Sequence, residues 1–438
     1  MWEKEGDALM LDTTSRFFGE LDRRIKVLFI SLGIHVWHQN LPTQYNQLYA
    51  TALGADPVEL GTLNSIGTVA SSIISVPSGW IADRYDAKKV ILIGLAFTAL
   101  VSAIYGLADN WWALIPAVFL SGACMRLVLP FVDVLFINYA KPQQRSMVMS
   151  LSRALWAIPS IFTSIIAAVI VTHFGGVNAT GIRPLYYIQL ALGALVFTSV
   201  VLWLKNPQTT SVEKTMGYDE EGMGFIQDFR DVFKGERWLA RWVVVMIIRD
   251  LSMRLTIPFT PLWIVNVKGA DPYILGAMGS AGMVVSMLLQ IPVGKLAARA
   301  RAIGRKKAFY LFHPFAYLGT LLLIVAPSPE YLILVGILGC IGLAGAGGGE
   351  VGLGGVSFIP FITMNFEMVP EEKRGRWLGI LGFFQILSFP ISILGGIMWE
   401  EGLMIQVLIL PILLEVLIAM PILSTIPDTA GQLRQQRT

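Results

Sequence analysis

The sequence predicts an all-α integral membrane protein of about twelve transmembrane helices, arranged as two pseudo-symmetric six-helix bundles. Its residues are 55% hydrophobic and only 14% charged, whereas a soluble protein has about a quarter charged residues. The apolar residues are gathered in long runs, and a bilayer is crossed by about 20 such residues in a helix. The second half of the chain also repeats a residue pattern of the first, as in many membrane proteins built from two copies of one unit.

The candidate spans follow one another with short polar connections. They lie at residues 25–50, 57–81, 90–108, 112–140, 147–172, 184–204, 239–266, 272–297, 307–326, 331–368, 377–398 and 403–425. The organisation that follows is a cytoplasmic segment at 1–24, an N-terminal six-helix bundle at 25–204, a cytoplasmic linker at 205–237, a C-terminal six-helix bundle at 238–426 and a cytoplasmic tail at 427–438.

The internal repeat is ungapped over the second and eighth spans. A constant offset of 215 positions places Gly54-Ala55-Asp56-Pro57 on Gly269-Ala270-Asp271-Pro272. In the same register, Leu60, Gly61, Ser65, Gly67, Val69, Ser71, Pro77 and Gly79 fall on Leu275, Gly276, Ser280, Gly282, Val284, Ser286, Pro292 and Gly294. So many identities in one register indicate two copies of one membrane unit.

A short charged loop joins the second and third spans. Its residues Gly79, Asp83, Arg84, Lys88 and Lys89 match the loop signature of the major facilitator superfamily of secondary transporters, which this chain resembles over nearly its whole length. The chain departs from that signature at Asp86, at Ala87 and, in the second copy, at Ala298. The resemblance implies that this loop, with Asp83 near the start of the eleventh span, gates the cytoplasmic side.

The loops also predict the orientation. Basic residues crowd the connections near 84–89, 141–145, 299–307 and 373–376, and such loops face the cytoplasm. We therefore expect a plasma-membrane protein with both termini cytoplasmic. The net charge of +3 is too small to indicate a nucleic-acid partner. The two cysteines lie within apolar runs and indicate no metal site, and we expect no cofactor. We expect a monomer whose partners are membrane lipids, a small-molecule substrate and protons.

Ionisable and polar residues inside spans are costly and become functional candidates. The candidates for a substrate or proton pathway are His35, His38, Gln39, Arg126, Asp133, Asp250, Arg254 and Glu350. They fall on spans 1, 4, 7 and 10, which line the central cavity in the family that the chain resembles. His35, His38 and Gln39 share one helical face, because positions i, i+3 and i+4 do.

Structural interpretations of these residues stay open. The two histidines could be neutral buried groups, and Arg126 with Asp133, or Arg254 with Asp250, could be neutralising pairs. Arg249 could face a neighbouring helix, and Glu415 lies on an outer span with no evident role. The glycine-rich run at 342–355 contains a Gly-x-Gly-x-x-Gly pattern but no preceding strand, so it predicts a bend or break in the tenth helix, or close helix packing, rather than a dinucleotide site.

The predicted function is secondary active transport of a small anionic or polar solute by alternating access, with proton coupling. Cavity arginines suit a carboxylate or phosphate, and nearby histidine and carboxylates can carry protons. The alternatives are efflux of drug-like amphipathic compounds and a sensor that transports nothing. No catalytic residues are predicted, and we expect a protein that is not an enzyme.

Overall fold

The computed structural model describes residues 23–84, 87–139, 145–204, 237–298, 304–343, 350–369 and 374–428. Within these ranges the chain forms twelve helical segments, several of them divided into shorter pieces. They are α1 (Arg23–Asn40 and Asn46–Ala52), α2 (Pro57–Arg84), α3 (Ala87–Leu107), α4 (Leu114–Tyr139), α5 (Arg145–His173), α6 (Ala179–Trp203), α7 (Arg237–Thr256, Thr260–Leu262 and Trp263–Val267), α8 (Pro272–Ala298), α9 (Arg305–Phe312 and Pro314–Val325), α10 (Leu332–Leu338, Gly352–Gly355 and Phe358–Glu367), α11 (Arg374–Phe384, Gln385–Ser388 and Phe389–Glu400) and α12 (Met404–Leu414, Glu415–Ala419 and Met420–Ser424).

Many of these helices turn apolar side chains outward. Six stretches of the described chain are individually long and apolar enough to cross a bilayer, among them Lys88–Leu107 and Met404–Ser424. Leu107, Leu288 and Leu417 are each more than 60% exposed. Such a surface suits hydrocarbon rather than water as the surrounding solvent. The helices are therefore built to lie in a membrane.

The two copies of the repeat adopt the same local structure. Helices α2 and α8 begin at Pro57 and Pro272, each a proline at the first helical position, where its missing N–H costs nothing. The turns before them contain Gly54 and Gly269, with φ of 94° and 69°, a region that glycine enters without strain. The predicted repeat is thus visible in the backbone.

Small residues of the repeat hold the two halves together. Ser65 of α2 donates to the carbonyl of Phe389 on α11, and its counterpart Ser280 of α8 donates to the carbonyl of Ile161 on α5 at 2.7 Å. Gly61 and Gly276, one turn earlier, pack directly against α11 and α5. Small residues four apart let membrane helices approach closely, so the repeat encodes the interface between the halves.

The hydrophobic cores differ between the two ends of the molecule. At the end with the Gly54 and Gly269 turns, one core includes residues from both halves, such as Leu60, Leu275 and Trp399. At the opposite end, the described residues form one core in the N-terminal half and a separate one in the C-terminal half. The halves are thus joined through side-chain packing at the first end.

The tenth helix is interrupted, which is one of the outcomes that the glycine run allows. Its first piece ends at Leu338, and the helix resumes at Gly352. Gly339, Gly342 and Gly352 have φ of 79°, 83° and 80°, values that side chains of L-residues rarely tolerate. Residue Glu350, a predicted site residue, lies at the end of this interruption.

Candidate functional site

A charged pair lies in the middle of α7. Arg254 Nε is 3.6 Å from Asp250 Oδ2, and the two side chains are 25% and 19% exposed. Their partners come from α11: Ser388 donates to Asp250 Oδ2, and Ser392 donates to the backbone carbonyl of Arg254 at 2.9 Å. The two predicted residues are therefore together, half-buried, and turned toward the helix that packs on the opposite half.

The polar face of α1 meets α6. His35 and His38 are buried, with ring centroids 5.1 Å apart. Gln39 accepts a hydrogen bond from Gln189 of α6, and the His38 ring lies beside Gly193 of the same helix. The structure thus brings these three predicted residues together inside the N-terminal half, while their role in a pathway stays a prediction.

Glu350 belongs to a different group of residues, buried within the C-terminal half. Arg249 Nη2 donates to Glu350 Oε1 at 3.3 Å, and Arg249 Nη1 donates to Glu415 Oε2 at 3.4 Å. Neither the arginine nor the two carboxylates exposes more than 8% of its side chain. We call Arg249, His313, Glu350 and Glu415 the C-terminal charge cluster.

His313 is at the centre of this cluster. Its Nε2 lies 2.6 Å from Glu415 Oε2 and 2.9 Å from Arg249 Nη1. Its Nδ1 lies 3.0 Å from Ser357 Oγ and 3.9 Å from Glu350 Oε2. The cluster therefore connects α7, α9, α10 and α12 through four ionisable side chains.

Aromatic and phenolic groups enclose the cluster. The guanidinium carbon of Arg249 lies 5.1 Å from the Phe309 ring centroid and 4.8 Å from that of Phe361, a favourable cation–π geometry. Tyr317 donates its hydroxyl to Glu415 Oε2 at 2.9 Å. Such an enclosure removes water and strengthens every electrostatic interaction inside.

Sequence reasoning found this cluster only in part. Glu350 was expected on the central pathway, and the alternative orientation of Arg249 toward a neighbouring helix is the one observed. Glu415 had no assigned role, and His313 was not singled out. The signal that could have found them is that each is an isolated ionisable residue inside an apolar run.

The remaining predicted residues can be located only in part. Lys88 and Lys89 lie in the first turn of α3, with Lys89 exposed. The structure describes only the helical backbone at Gly79, Asp83 and Arg84 on α2, and at Arg126 and Asp133 on α4. Among the described residues, no three or more His, Cys, Asp or Glu side chains are grouped to hold a metal ion.

Sequence comparisons identify related proteins. The sequence profile of the Major Facilitator Superfamily matches residues 28–392. Multidrug resistance protein 3 of Bacillus subtilis is 24% identical over 201 residues, which cover 44% of this chain and 37% of that protein. The niacin transporter NiaP of Acinetobacter baylyi is 22% identical over 209 residues, covering 47% and 44%. The chain thus spans less than half the length of these curated relatives.

Solved structures agree with the fold. The nucleoside transporter NupG superposes with a TM-score of 0.68 at 15% identity, covering 92% of this chain and 99% of NupG. A D-xylose-proton symporter superposes with a TM-score of 0.65 at 12% identity, covering 93% and 98%. The predicted all-α membrane fold is thus confirmed. Because the family profile extends over most of the sequence and the fold agrees with it, this chain belongs to the major facilitator superfamily.

Proposed function

We propose that the protein is a secondary active transporter that moves a small anionic or polar solute by alternating access, with proton coupling. The observation that carries this proposal is Arg254, a half-buried arginine in the middle of α7. A charge at this depth needs a partner. In the part of the chain that the structure describes, its ionic partner is Asp250.

The Arg254–Asp250 contact is one that a substrate can replace. The 3.6 Å separation joins Nε to one carboxylate oxygen and is longer than a charge-assisted hydrogen bond of about 2.7–2.9 Å. Among the described residues, neither Nη group of Arg254 has a hydrogen-bond partner, so both can bind a planar anion. A carboxylate or phosphate would be bound bidentately there, which lysine cannot do equally well.

Polar atoms on α1 support a polar solute. Gln44 Oε1, Tyr45 OH and both ring nitrogens of His38 are buried without hydrogen-bond partners among the described residues. Unsatisfied buried polar groups are rare and usually indicate water, an ion or a ligand. These atoms would exchange hydrogen bonds with water or with a solute hydroxyl or amide.

The contrast between the two ends of the molecule supports alternating access. A shared core joins the halves at one end, and separate cores occupy the other. This is the arrangement expected of two bundles that rock about a central site. The named relatives, a multidrug resistance protein and a niacin transporter, give no agreed substrate.

The test begins with a thermal-shift screen of metabolites, since a ligand that binds only the folded state raises the unfolding temperature. For a carboxylate or phosphate found in this way, Arg254→Lys should weaken binding at least tenfold, about 1.4 kcal/mol, as measured by titration calorimetry. Arg241→Lys, on the exposed face of the same helix, is the matched control and should bind normally.

Two results would contradict the proposal. Undiminished binding in Arg254→Lys, with uncharged amphipathic compounds as the ligands, would favour drug efflux. A bound ligand that purified protein fails to move across proteoliposome membranes would favour the sensor.

A further inference from the structure

The C-terminal charge cluster contains one cation that never loses its proton, two carboxylates and one imidazole. With both carboxylates ionised and His313 neutral, the group would carry a net charge of −1. An unbalanced charge at this burial is costly, and buried groups change protonation to avoid it. One additional proton makes the cluster neutral.

The hydrogen-bond geometry locates the first proton of the cluster. His313 Nε2 and Glu415 Oε2 are 2.6 Å apart, which is too close for two acceptors, so a proton lies between them. Glu415 Oε2 also accepts from Tyr317 OH at 2.9 Å and from Arg249 Nη1 at 3.4 Å, so this oxygen is the acceptor and the proton belongs to Nε2. The Nε2 side of the ring is therefore fully occupied.

The second proton belongs on the other side of the ring. His313 Nδ1 faces Ser357 Oγ at 3.0 Å and Glu350 Oε2 at 3.9 Å. Glu350 Oε2 is buried and has no hydrogen-bond partner among the described residues. A proton on Nδ1 balances the charge beside this carboxylate, and the hydroxyl of Ser357 can accept a hydrogen bond from that proton.

The local backbone is irregular at three of the four residues. Glu415 begins a π-helical turn, Glu415–Ala419, and such turns are frequent at functional sites. His313 immediately precedes Pro314, where α9 divides, and Glu350 ends the interruption of α10. A purely structural ion pair requires none of these departures from α-helical geometry.

We infer that the C-terminal charge cluster is a proton-binding site, taking up one proton at His313 Nδ1 beside Glu350 Oε2, and that this proton shifts the protein between the two states of alternating access. Other titratable groups nearby are Tyr317, which donates to Glu415, and Cys340, buried on α10. The coupling to solute movement rests on the proposed function, whereas proton binding itself does not.

Two connections link the cluster to the part of α7 that holds Asp250 and Arg254. Arg249 and Asp250 are consecutive on α7, one turned into the cluster and the other toward Ser388 of α11. The interruption of α10 also contacts α7 directly, since Gly342 packs against Thr256 and Thr260. A protonated His313 competes with Arg249 for Glu350, which weakens the attraction between Glu350 and Arg249 and loosens α10 against α7.

The first test measures protonation without any substrate. Nitrogen NMR of ¹⁵N-histidine-labelled protein in lipid nanodiscs follows His313 from about pH 5 to about pH 9, the range in which histidine ordinarily titrates. We expect the His313 ring to titrate in the unmodified protein. In Glu350→Gln the cluster is balanced without the second proton, so the His313 signals should no longer change over this pH range.

The control variants distinguish a proton-binding site from a purely structural cluster of ion pairs. Glu330→Gln, an exposed carboxylate in the loop before α10, should leave the titration unchanged. Glu415→Gln provides a second variant should Glu350→Gln fold poorly, and it should also abolish the response of His313 to pH. A His313 ring that keeps one protonation state across this range in the unmodified protein, or that responds to pH in both cluster variants as it does in the unmodified protein, would overturn the proton site.

The second test measures whether protonation of the cluster changes the distance between the two halves. Spin labels at exposed Ala52 and Leu403 report the separation of the two halves at the end that shares a core. Their distance distribution should change with pH in the unmodified cluster and lose that dependence in Glu350→Gln. A titrating His313 with no pH-dependent distance would refute this effect of protonation. Unchanged solute binding in Arg254→Lys would instead contradict the proposed function and leave the titration as it is.

Discussion

A glycine at the interface of the halves offers a sharp test of alternating access. A Cβ atom at Gly61 would lie 2.2 Å from the backbone carbonyl oxygen of Ser392 on α11. Ordinary contacts of this kind begin at 3.4 Å, so Gly61→Ala must push the two helices apart by roughly 1 Å. Backbone atoms cannot rotate away, and the strain therefore falls on the packing between the halves.

The magnitude follows from the cost of overpacking. Inserting a methyl group into a well-packed contact costs about 1–3 kcal/mol. If this contact opens in the alternative state, the strain is relieved there, and the closed-to-open ratio at this end should fall roughly 5- to 150-fold, since about 1.4 kcal/mol is tenfold. Gly276→Ala, whose Cβ would lie 2.8 Å from Ser164 O and the Ala168 Cβ, should shift the ratio less.

The assay is the distance distribution between spin labels at Ala52 and Leu403. Gly294 is the matched control, because nothing lies within 4 Å of a Cβ built there, and Gly294→Ala should leave the distribution unchanged. We expect the population of longer distances to increase in the order Gly294, Gly276, Gly61. Identical distributions in all three variants, in folded protein, would show that this contact does not open and would refute the reasoning.

Two further predictions concern stability and orientation. Asn365 Oδ1 accepts from Trp242 Nε1 at 2.7 Å and Trp377 Nε1 at 3.0 Å. Asn365→Leu should cost about 1–3 kcal/mol for each donor that is left unsatisfied and lower the unfolding temperature, whereas Thr363→Val, which removes a bond within one helix, should not. Cysteines replacing Lys89 or Lys307 should react with an impermeant maleimide only after cells are opened, because basic loops stay cytoplasmic; labelling in intact cells would reverse the topology.

The fold was accessible from the sequence because its determinants are local and repeated. Apolar runs of bilayer length identify the helices, and the offset of 215 positions identifies the two copies. The same repeat contains the residues that join the halves, Ser65 with Gly61 and Ser280 with Gly276. The repeated register predicted the topology, and the packing of these small residues in the structure shows that the same register also forms the interface between the halves.

The site was less accessible, because a span identifies which residues are buried but not which helix each one faces. Arg249 and Asp250 are adjacent in sequence yet contact different helices, α9, α10 and α12 for the first and α11 for the second. Gln39 contacts α6, although its helical face alone fits the central pathway equally well. The rotation of each helix about its axis depends on packing that no single span encodes.

The two halves differ in the kind of polar side chain that joins their helices. In the N-terminal half, α1 and α6 are joined by neutral amides and two histidines. In the C-terminal half, α7, α9, α10 and α12 are joined by full charges. A charge network has two discrete arrangements, paired and unpaired, and its balance changes with a single proton, whereas an amide pair does not respond to pH. The proposed proton coupling therefore falls to the C-terminal charge cluster, where a single proton changes the balance of the buried charges.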